Sequence, residues 1–403
     1  MRILIIHNHY KEAGGEDTVF FAESNLLEEH GHDVRRLTVS NKDVNSTSQK
    51  LEAALGVVYN PKSAKIVETE LQAFKPDVVH VHNFFPLLSP AVFYVCQKYK
   101  VPVVMTLHNY RLICPSAYLH YNGEVHLEHV QQVFPLKAIL DKAYRNSALE
   151  TASAVLATGV HKLLGTWRNK VSKFIVLTPG AQELFLNSSL RPKPEQIAIK
   201  PNFTEDPGMG DENREDYFLY MGRLSPEKGI ETLLKAQKSK SFKLKIIGEG
   251  SVRSLVEEHA AQHPEVEYLG FMPREEALEV LKKAKALIFP SEWLETFGMT
   301  IVEAFATGTP VIAAKIGGAA HLVHHKYNGL HYTPQSAHEL AEQIEVLEQN
   351  PVLAYELGRN GRTTFEKHYT SEVNYNLLLD VYHAAIGQKE RLASSAMAAE
   401  ASL

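Results

Sequence analysis

The stretch SEWLETFGMTIVEAFATGTPVI, Ser291–Ile312, sets Glu295 and Glu303 eight residues apart around an uncharged segment that contains Gly298. The apolar run ALIFP leads into it and PVIAA closes it. This pattern predicts a strand ending at Pro290, a loop carrying Glu295, a sharp entry at Gly298, and a helix from about Met299 with Glu303 near its start. A helix start carries partial positive charge, so a single carboxylate there is ordinary capping, and an exposed helix face would account for the other. Two together point to a site. An ionised carboxylate only accepts hydrogen bonds, so Glu303 can take two vicinal ribose hydroxyls and Glu295 a second group of hydroxyls. Gly298, Met299 and Thr300, at the electropositive entry, join this candidate ligand-binding set.

Working outward, the same alternation of strand and helix runs through the chain. Apolar runs at RILIIH, HDVRRLTV, DVVHVH, VPVVMTLH, KFIVLT and QIAIKP are separated by helical stretches, the first spanning Thr18 to His30. Such alternation implies a parallel sheet covered on both faces. PNFTEDPGMGDENRED, residues 201–216, is acidic, rich in proline and glycine, and poor in large apolar residues, and reads as a linker. A second series follows: YFLYMGRL, KLKIIGEG, VEYLGF, ALIFP and PVIAA. The fold class is therefore α/β, with two Rossmann-like, doubly wound parallel-sheet domains facing across a cleft. Residues 1–205 form the first and 206–370 the second; a helix over 371–387 is long enough to cross back, and 388–403 read as a flexible tail. In such sheets ligands collect at the carboxyl ends of strands.

Composition narrows the function. At 403 residues, 44% apolar and 22% charged, the chain has material for two cores, and a net charge of −5 gives no reason to expect nucleic acid. Only Cys96 and Cys114 are present, which excludes a disulfide framework and fits a reducing, cytoplasmic compartment. The longest uncharged run, Val78 to Gln97, contains two histidines, an asparagine and two prolines, so no transmembrane helix is read.

Two further segments belong with the glutamates. In GRLSPEKG, Arg223 stands at a strand end and Lys228 just before the next helix, an arrangement that invites a phosphate. Gly248 and Gly250 in IIGEGSVRSL again follow a strand and precede a helix, where glycine lets backbone N–H groups approach a ligand. The third position of a dinucleotide fingerprint holds Arg253, so this segment alone is equally an ordinary tight turn. No P-loop signature and no Asp-x-Asp occurs.

In this order and separation, GRLSPEKG and ETFGMTIVEAFATGTPVI resemble the donor-binding half of family 4 of the nucleotide-sugar glycosyltransferases, enzymes of the GT-B fold. The resemblance implies that Arg223 and Lys228 hold the donor diphosphate, that Glu295, the first Glu of an E-x7-E motif, contacts the transferred sugar, and that Glu303 holds the ribose. GGED looks like the family's amino-terminal glycine loop, which implies Gly14 and Gly15 near the donor phosphates. DVVHVHNFFPLLSP and TLHNYRLICP are similar to a bacterial branch in which His108 would face the reacting sugar. That branch often has further cysteines after the CP dipeptide, and SAYLHYNGEVHLEH has none. The implied activity is retaining transfer of a sugar from a nucleotide-diphosphate donor to a hydroxyl of a glycan or lipid-linked acceptor, with no metal and no further cofactor. An epimerase, a phosphorylase or a non-catalytic nucleotide-sugar sensor is the alternative.

The remaining motifs have plainer readings. His7 with His9, and His80 with His82, are two apart and share a strand face, a spacing that can chelate zinc; no third ligand is given by spacing, so hydrogen-bonded cleft histidines are the reading taken. His321, His324 and His325 read as surface or substrate-proximal, and Cys114 as packed. Between Lys137 and Lys173, seven Lys or Arg residues are interleaved with Trp167, Phe174 and leucines. This segment either lies on an anionic membrane surface or packs as a core helix with a wet basic face, the second being the commoner fate of amphipathic helices.

Overall fold

The computed structural model describes residues 1–10, 14–41 and 56–400, with side chains as far as 387. Lys11, Glu12 and Ala13, the start of the glycine loop, lie outside the described residues. The chain divides into two compact units. Met1–Asn122, His126–Lys200 and the segment from Tyr375 onward form unit 1, and Gly123–Val125 with Pro201–Asn374 form unit 2.

Unit 1 is built on β1 (Arg2–His9), β2 (Asp33–Ser40), β3 (Val78–Val81), β4 (Val103–Thr106), β7 (Lys173–Val176) and β8 (Ile197–Ile199), with a hairpin of β5 (His120–Tyr121) and β6 (Glu124–Val125) inserted. The six strands lie in the order β2-β1-β3-β4-β7-β8 with parallel pairing throughout. Ile3, Leu4, Ile5 and Ile6 have no exposure at all, as expected of a strand covered on both faces. The edge strand β2 instead carries Arg35 and Arg36, paired with Glu70 and Glu28, charges that discourage further strands from adding there.

Unit 2 contains β9 (Phe218–Met221), β10 (Leu244–Ile247), β11 (Val266–Gly270), β12 (Ala286–Phe289), β13 (Val311–Ala314) and β14 (Gly329–Tyr332), ordered β11-β10-β9-β12-β13-β14. The fold class expected from the alternation is the one observed. Phe218 and Tyr220 of β9 pack with Ile230, Leu233 and Leu234 of the following helix in one buried core. The strand β14 is missing from the predicted series, because GLHY is short and its glycine and histidine hide the periodicity.

The acidic stretch after Pro201, read as a linker, begins where the two units join and is bound along unit 2. Arg362 grips Asp206 at 2.6 Å, and Arg214 donates to the carbonyls of Thr307 and Gly308 at 3.0 and 2.8 Å. A helix over Pro351–His368 follows the sheet of unit 2. The last helix runs Ser371–Glu400, past the Gly387 end read from the sequence and through most of the residues read as tail. Tyr375 and Tyr382 on it belong to unit 1, where they meet His32 and His80 at 2.9 and 2.8 Å.

Candidate active site

In unit 2 the strand order reverses at β9, which has β10 on one side and β12 on the other. The pairing of β9 with β12 covers only Phe218 to Ala286 and Leu219 to Leu287, so the two strands diverge toward their carboxyl ends, the crevice at which open sheets of this kind take ligands. Four loops interlace there. The Gly222 N–H donates to Ile247 at 3.0 Å and Leu224 to Glu249 at 2.8 Å, joining the loops after β9 and β10. The Glu292 N–H donates to the Glu227 carbonyl at 2.9 Å, and the Gly318 N–H to that of Glu295 at 2.7 Å, bringing in the loops after β12 and β13.

Into this frame the sequence places its charges. Lys228 ends a short turn, Pro226–Lys228, and its ammonium meets the Glu295 carboxylate at 2.7 Å, with the indole of Trp293 5.5 Å away. Ser291 donates to the same Glu295 oxygen. Arg223 is half exposed and pairs with Glu227 at 2.9 Å, while the Tyr220 hydroxyl holds the Arg223 carbonyl at 2.8 Å. Each cation is thus parked on a carboxylate, in reach of whatever anion enters the crevice.

Glu303, on helix Met299–Ala306, is nearly buried and accepts from Arg274 Nε at 2.8 Å. Burial raises its carboxyl above the ordinary range, opposed by the charge and hydrogen bond of Arg274. Arg274 also donates to Thr204 and heads the helix Arg274–Lys283. Sequence reasoning missed it, although it stands in the loop GFMPREE, because nothing local ties it to a carboxylate 29 residues away. Met299 and Thr300 form the first turn of the Glu303 helix, as expected.

Gly248 and Gly250 lie under the crevice. Their φ angles are +147° and +157°, and a Cβ would sit 1.8 Å from the Gly222 carbonyl oxygen or 2.1 Å from that of Leu224. Close approach of two loops therefore already requires these glycines. Gly298 caps the helix Met299–Ala306 at the place read as a sharp entry, with a φ of 173° that any residue can adopt. Space there is tight, since a Cβ would meet the terminal methyls of Ile301 at 3.0 Å and Leu322 at 3.3 Å.

The other predicted residues, Gly14, Gly15 and His108, sit in unit 1 at its own reversal point, between β1 and β3. Gly14 precedes helix Gly15–Glu29 and gives its N–H to Asp17 at 2.8 Å. His108 follows β4 and lines a small pocket with Tyr10, His82, Asn83, Asn109 and Arg111. Burial holds His108 down to about 3, so it is neutral. Glu16, unremarked in the sequence, ties the glycine loop to this pocket by accepting from Asn83 at 3.0 Å and Asn109 at 3.3 Å.

Burial, then the Asp17 charge, push the Glu16 carboxyl up to about 8 against the ordinary 4.5. Across that window the folded chain keeps a proton on Glu16 that the unfolded chain has released, so the contribution of Glu16 to stability falls as pH rises through it, against the opposite slope of the buried histidines below about 6.5. Glu16→Gln should abolish this decline, read as the urea midpoint at successive pH values; a variant that keeps the slope would assign it to another group.

Among the described residues, three groups bring possible metal ligands within 4.8 Å of one another: His7, His9 and Asp17; Glu23, His80 and His82; and His126, Glu128 and His129. In the first, both histidines hydrogen-bond Asp17, at 2.9 and 2.5 Å. In the second, the Lys200 ammonium stands 2.5 Å from Glu23 and would repel a cation. In the third, His126 is on Glu128 at 2.8 Å and His129 on the Tyr121 hydroxyl at 2.7 Å. Cys114 is buried, with its thiol 3.2 Å from the Ser116 hydroxyl.

Helix Ala148–Leu163 turns its smaller residues Ala154, Val155 and Ala157 inward. Its outer face is not basic, as a packed amphipathic helix would have it: Leu149, Leu156 and Leu163, spaced by seven, are exposed, as are Leu136, Leu140 and Leu164. Among the described residues no helix is long and apolar enough to cross a membrane.

Two family models match the chain, Glycosyltransferase Family 4 over residues 13–159 and Glycosyl transferases group 1 over 204–364. The uncharacterized glycosyltransferase MJ1607 of Methanocaldococcus jannaschii is 27% identical over 305 residues, 73% of this chain and 72% of that one. A second from the same organism, MJ1178, is 33% identical over 159 residues, which are 39% of this chain and 45% of that relative's own length. The crystal structure of HepE from Anabaena in complex with UDP shares the fold with a TM-score of 0.67 at 18% identity, covering 95% of this chain and 100% of the other. With both halves matched, two six-stranded parallel sheets and the charged crevice of unit 2 in hand, the chain belongs to family 4 of the glycosyltransferases and has the GT-B fold.

Proposed function

We propose that this protein is a retaining glycosyltransferase that moves a sugar from a nucleoside diphosphate to a hydroxyl of a glycan or lipid-linked acceptor. Unit 2 takes the donor. The observation that carries the reading is the crevice between β9 and β12, where Arg223 and Lys228 rest on displaceable carboxylates while Glu303 is held by Arg274 one helix away. A diphosphate entering there exchanges places with Glu227 and Glu295, freeing Glu295 to accept from sugar hydroxyls. The two cations and the loop amides offset charge on the departing diphosphate, the task a divalent ion performs elsewhere. As the bond from the anomeric carbon to the phosphate oxygen breaks, the acceptor oxygen joins the same face and its proton passes to the leaving phosphate.

Calorimetry with UDP, GDP and ADP tests the reading and identifies the base. One of them should bind, and Glu303→Ala should weaken that nucleotide by roughly tenfold or more, the scale of losing a hydrogen-bonded charged contact. Unchanged affinity removes Glu303 from the ribose role, and no binding by any nucleotide overturns the donor site.

For the acceptor side, the exposed leucines of residues 136–164, flanked by Lys137, Lys142, Arg145 and Lys162, suit a membrane surface on which a lipid-linked acceptor resides. Leu140→Ser, Leu156→Ser and Leu163→Ser combined should lower sedimentation with anionic phosphatidylglycerol vesicles by roughly a hundredfold while leaving nucleotide affinity unchanged. Equal sedimentation of variant and wild type would dismiss the membrane role.

A further inference from the structure

The irregular segment that follows Tyr121 in unit 1 holds a conflict of hydrogen bonds. His126 Nε2 lies 3.3 Å from the Tyr121 carbonyl oxygen, while its Nδ1 lies 2.8 Å from Glu128 Oε1. A carbonyl and a carboxylate only accept. A neutral imidazole has one N–H to give, so one of these two contacts needs a further positive partner, either a second proton or a metal ion. His129 is fully buried and sets Nε2 3.9 Å from the same Glu128 oxygen and 2.7 Å from the Tyr121 hydroxyl, which faces Asp141 Oδ2 at 3.4 Å.

Geometry and charge both suit a cation here. His126, Glu128 and His129 bring one ligand atom each within 4.8 Å of the others. Ligand atoms about 2.1 Å from a tetrahedral ion stand roughly 3.4 Å apart. The separations of Glu128 Oε1 from His126 Nδ1 and His129 Nε2, 2.8 and 3.9 Å, straddle that value. Among the described residues neither Glu128 nor Asp141 forms an ion pair with a lysine or arginine, unlike Glu23, whose Lys200 would repel a metal. The Tyr121 ring stacks on His126 at 3.6 Å and 9°, which fixes the imidazole plane. Glu128 is 43% exposed, so an ion can enter from solvent.

The segment also has little apolar material to hold it. Its buried cluster consists of Tyr121, Ala138 and Ala143. Where a core is this small, ligation contributes most to order. Two imidazoles with one carboxylate are a donor set for zinc, whereas magnesium and calcium take oxygen ligands.

We propose that His126, Glu128 and His129 bind a zinc-like divalent cation, with water completing its coordination, and that the ion pins this turn where an apolar core is lacking. It takes no part in sugar transfer. The site stands or falls independently of the donor reading, because none of its ligands belongs to the crevice of unit 2.

Zinc titration of the untagged, chelator-treated chain against a chromophoric competitor tests the site. Wild type should take up one tightly held equivalent. His126→Gln combined with His129→Gln should weaken it by at least roughly a hundredfold, beyond the usual cost of losing an outer hydrogen-bond partner of a ligand. Saturating zinc should raise the unfolding midpoint of the wild type by about 5 °C and leave that of the double variant unmoved. Glu128→Gln, at a partly exposed position, covers the case in which the double variant folds poorly: it should keep the wild-type circular dichroism and bind zinc roughly tenfold more weakly or worse. No uptake by the wild type overturns the proposal and means that a proton fills the gap between His126 and Glu128. An equivalent retained by the double variant overturns it too, assigning the ion to another histidine group, as does displacement of zinc by magnesium.

Discussion

Lys228→Ala should slow sugar transfer by roughly a hundredfold to a thousandfold, the loss expected when one preorganised charge stabiliser is removed from a developing anion. The effect should fall mainly on kcat, because the charge it offsets grows as the diphosphate departs. The Lys228–Glu295 contact at 2.7 Å makes the two residues interdependent: removing the lysine also releases the carboxylate that is proposed to receive the sugar. Glu295→Gln separates the effects, since it keeps the shape and removes the ion pair. Steady-state rates at saturating donor decide the matter, and a Lys228→Ala enzyme turning over at the wild-type rate would take Lys228 out of the mechanism.

Lys200→Met should be the most destabilising of the substitutions considered. It leaves the Glu23 carboxylate buried without its cation, a change that typically costs about 3–5 kcal/mol. For a unit of this size that corresponds to a fall of roughly 10 °C in its unfolding midpoint. Replacing both members, Glu23→Leu with Lys200→Met, should recover most of the loss, because two apolar side chains of similar volume need no pairing. Differential scanning calorimetry of the three proteins tests this; equal midpoints for wild type and Lys200→Met would mean that the pair is solvated in solution.

The fold was legible because parallel strands covered on both faces leave unbroken apolar runs, as Ile3–Ile6 and Leu287–Phe289 do. The strand β14 escaped for the converse reason, being four residues that include Gly329 and His331. The same logic separates the site residues. Arg223, Lys228, Glu295 and Glu303 could be named because each stands in a short motif whose spacing survives in one dimension. Arg274, Glu16 and the Glu23–Lys200 pair could not, since their meaning lies in contacts across 29, 93 and 177 residues that no local pattern encodes. Gly298 shows a related limit: a sequence shows that a glycine is present, whereas the tight packing of Ile301 and Leu322 around it appears only in three dimensions.

The return of the chain to unit 1 at Tyr375 affects its birth on the ribosome. Unit 2 has all of its sheet once residue 332 has emerged, and its core closes once the next two helices bring in Leu340, Ile344 and Leu357. Unit 1, although its strands are made first, must wait for Tyr382 before the buried His80 gains its hydroxyl contact. The earlier-made half therefore matures last, and a nascent chain stalled before that helix would hold a finished carboxyl-terminal sheet beside an amino-terminal one still open to chaperones.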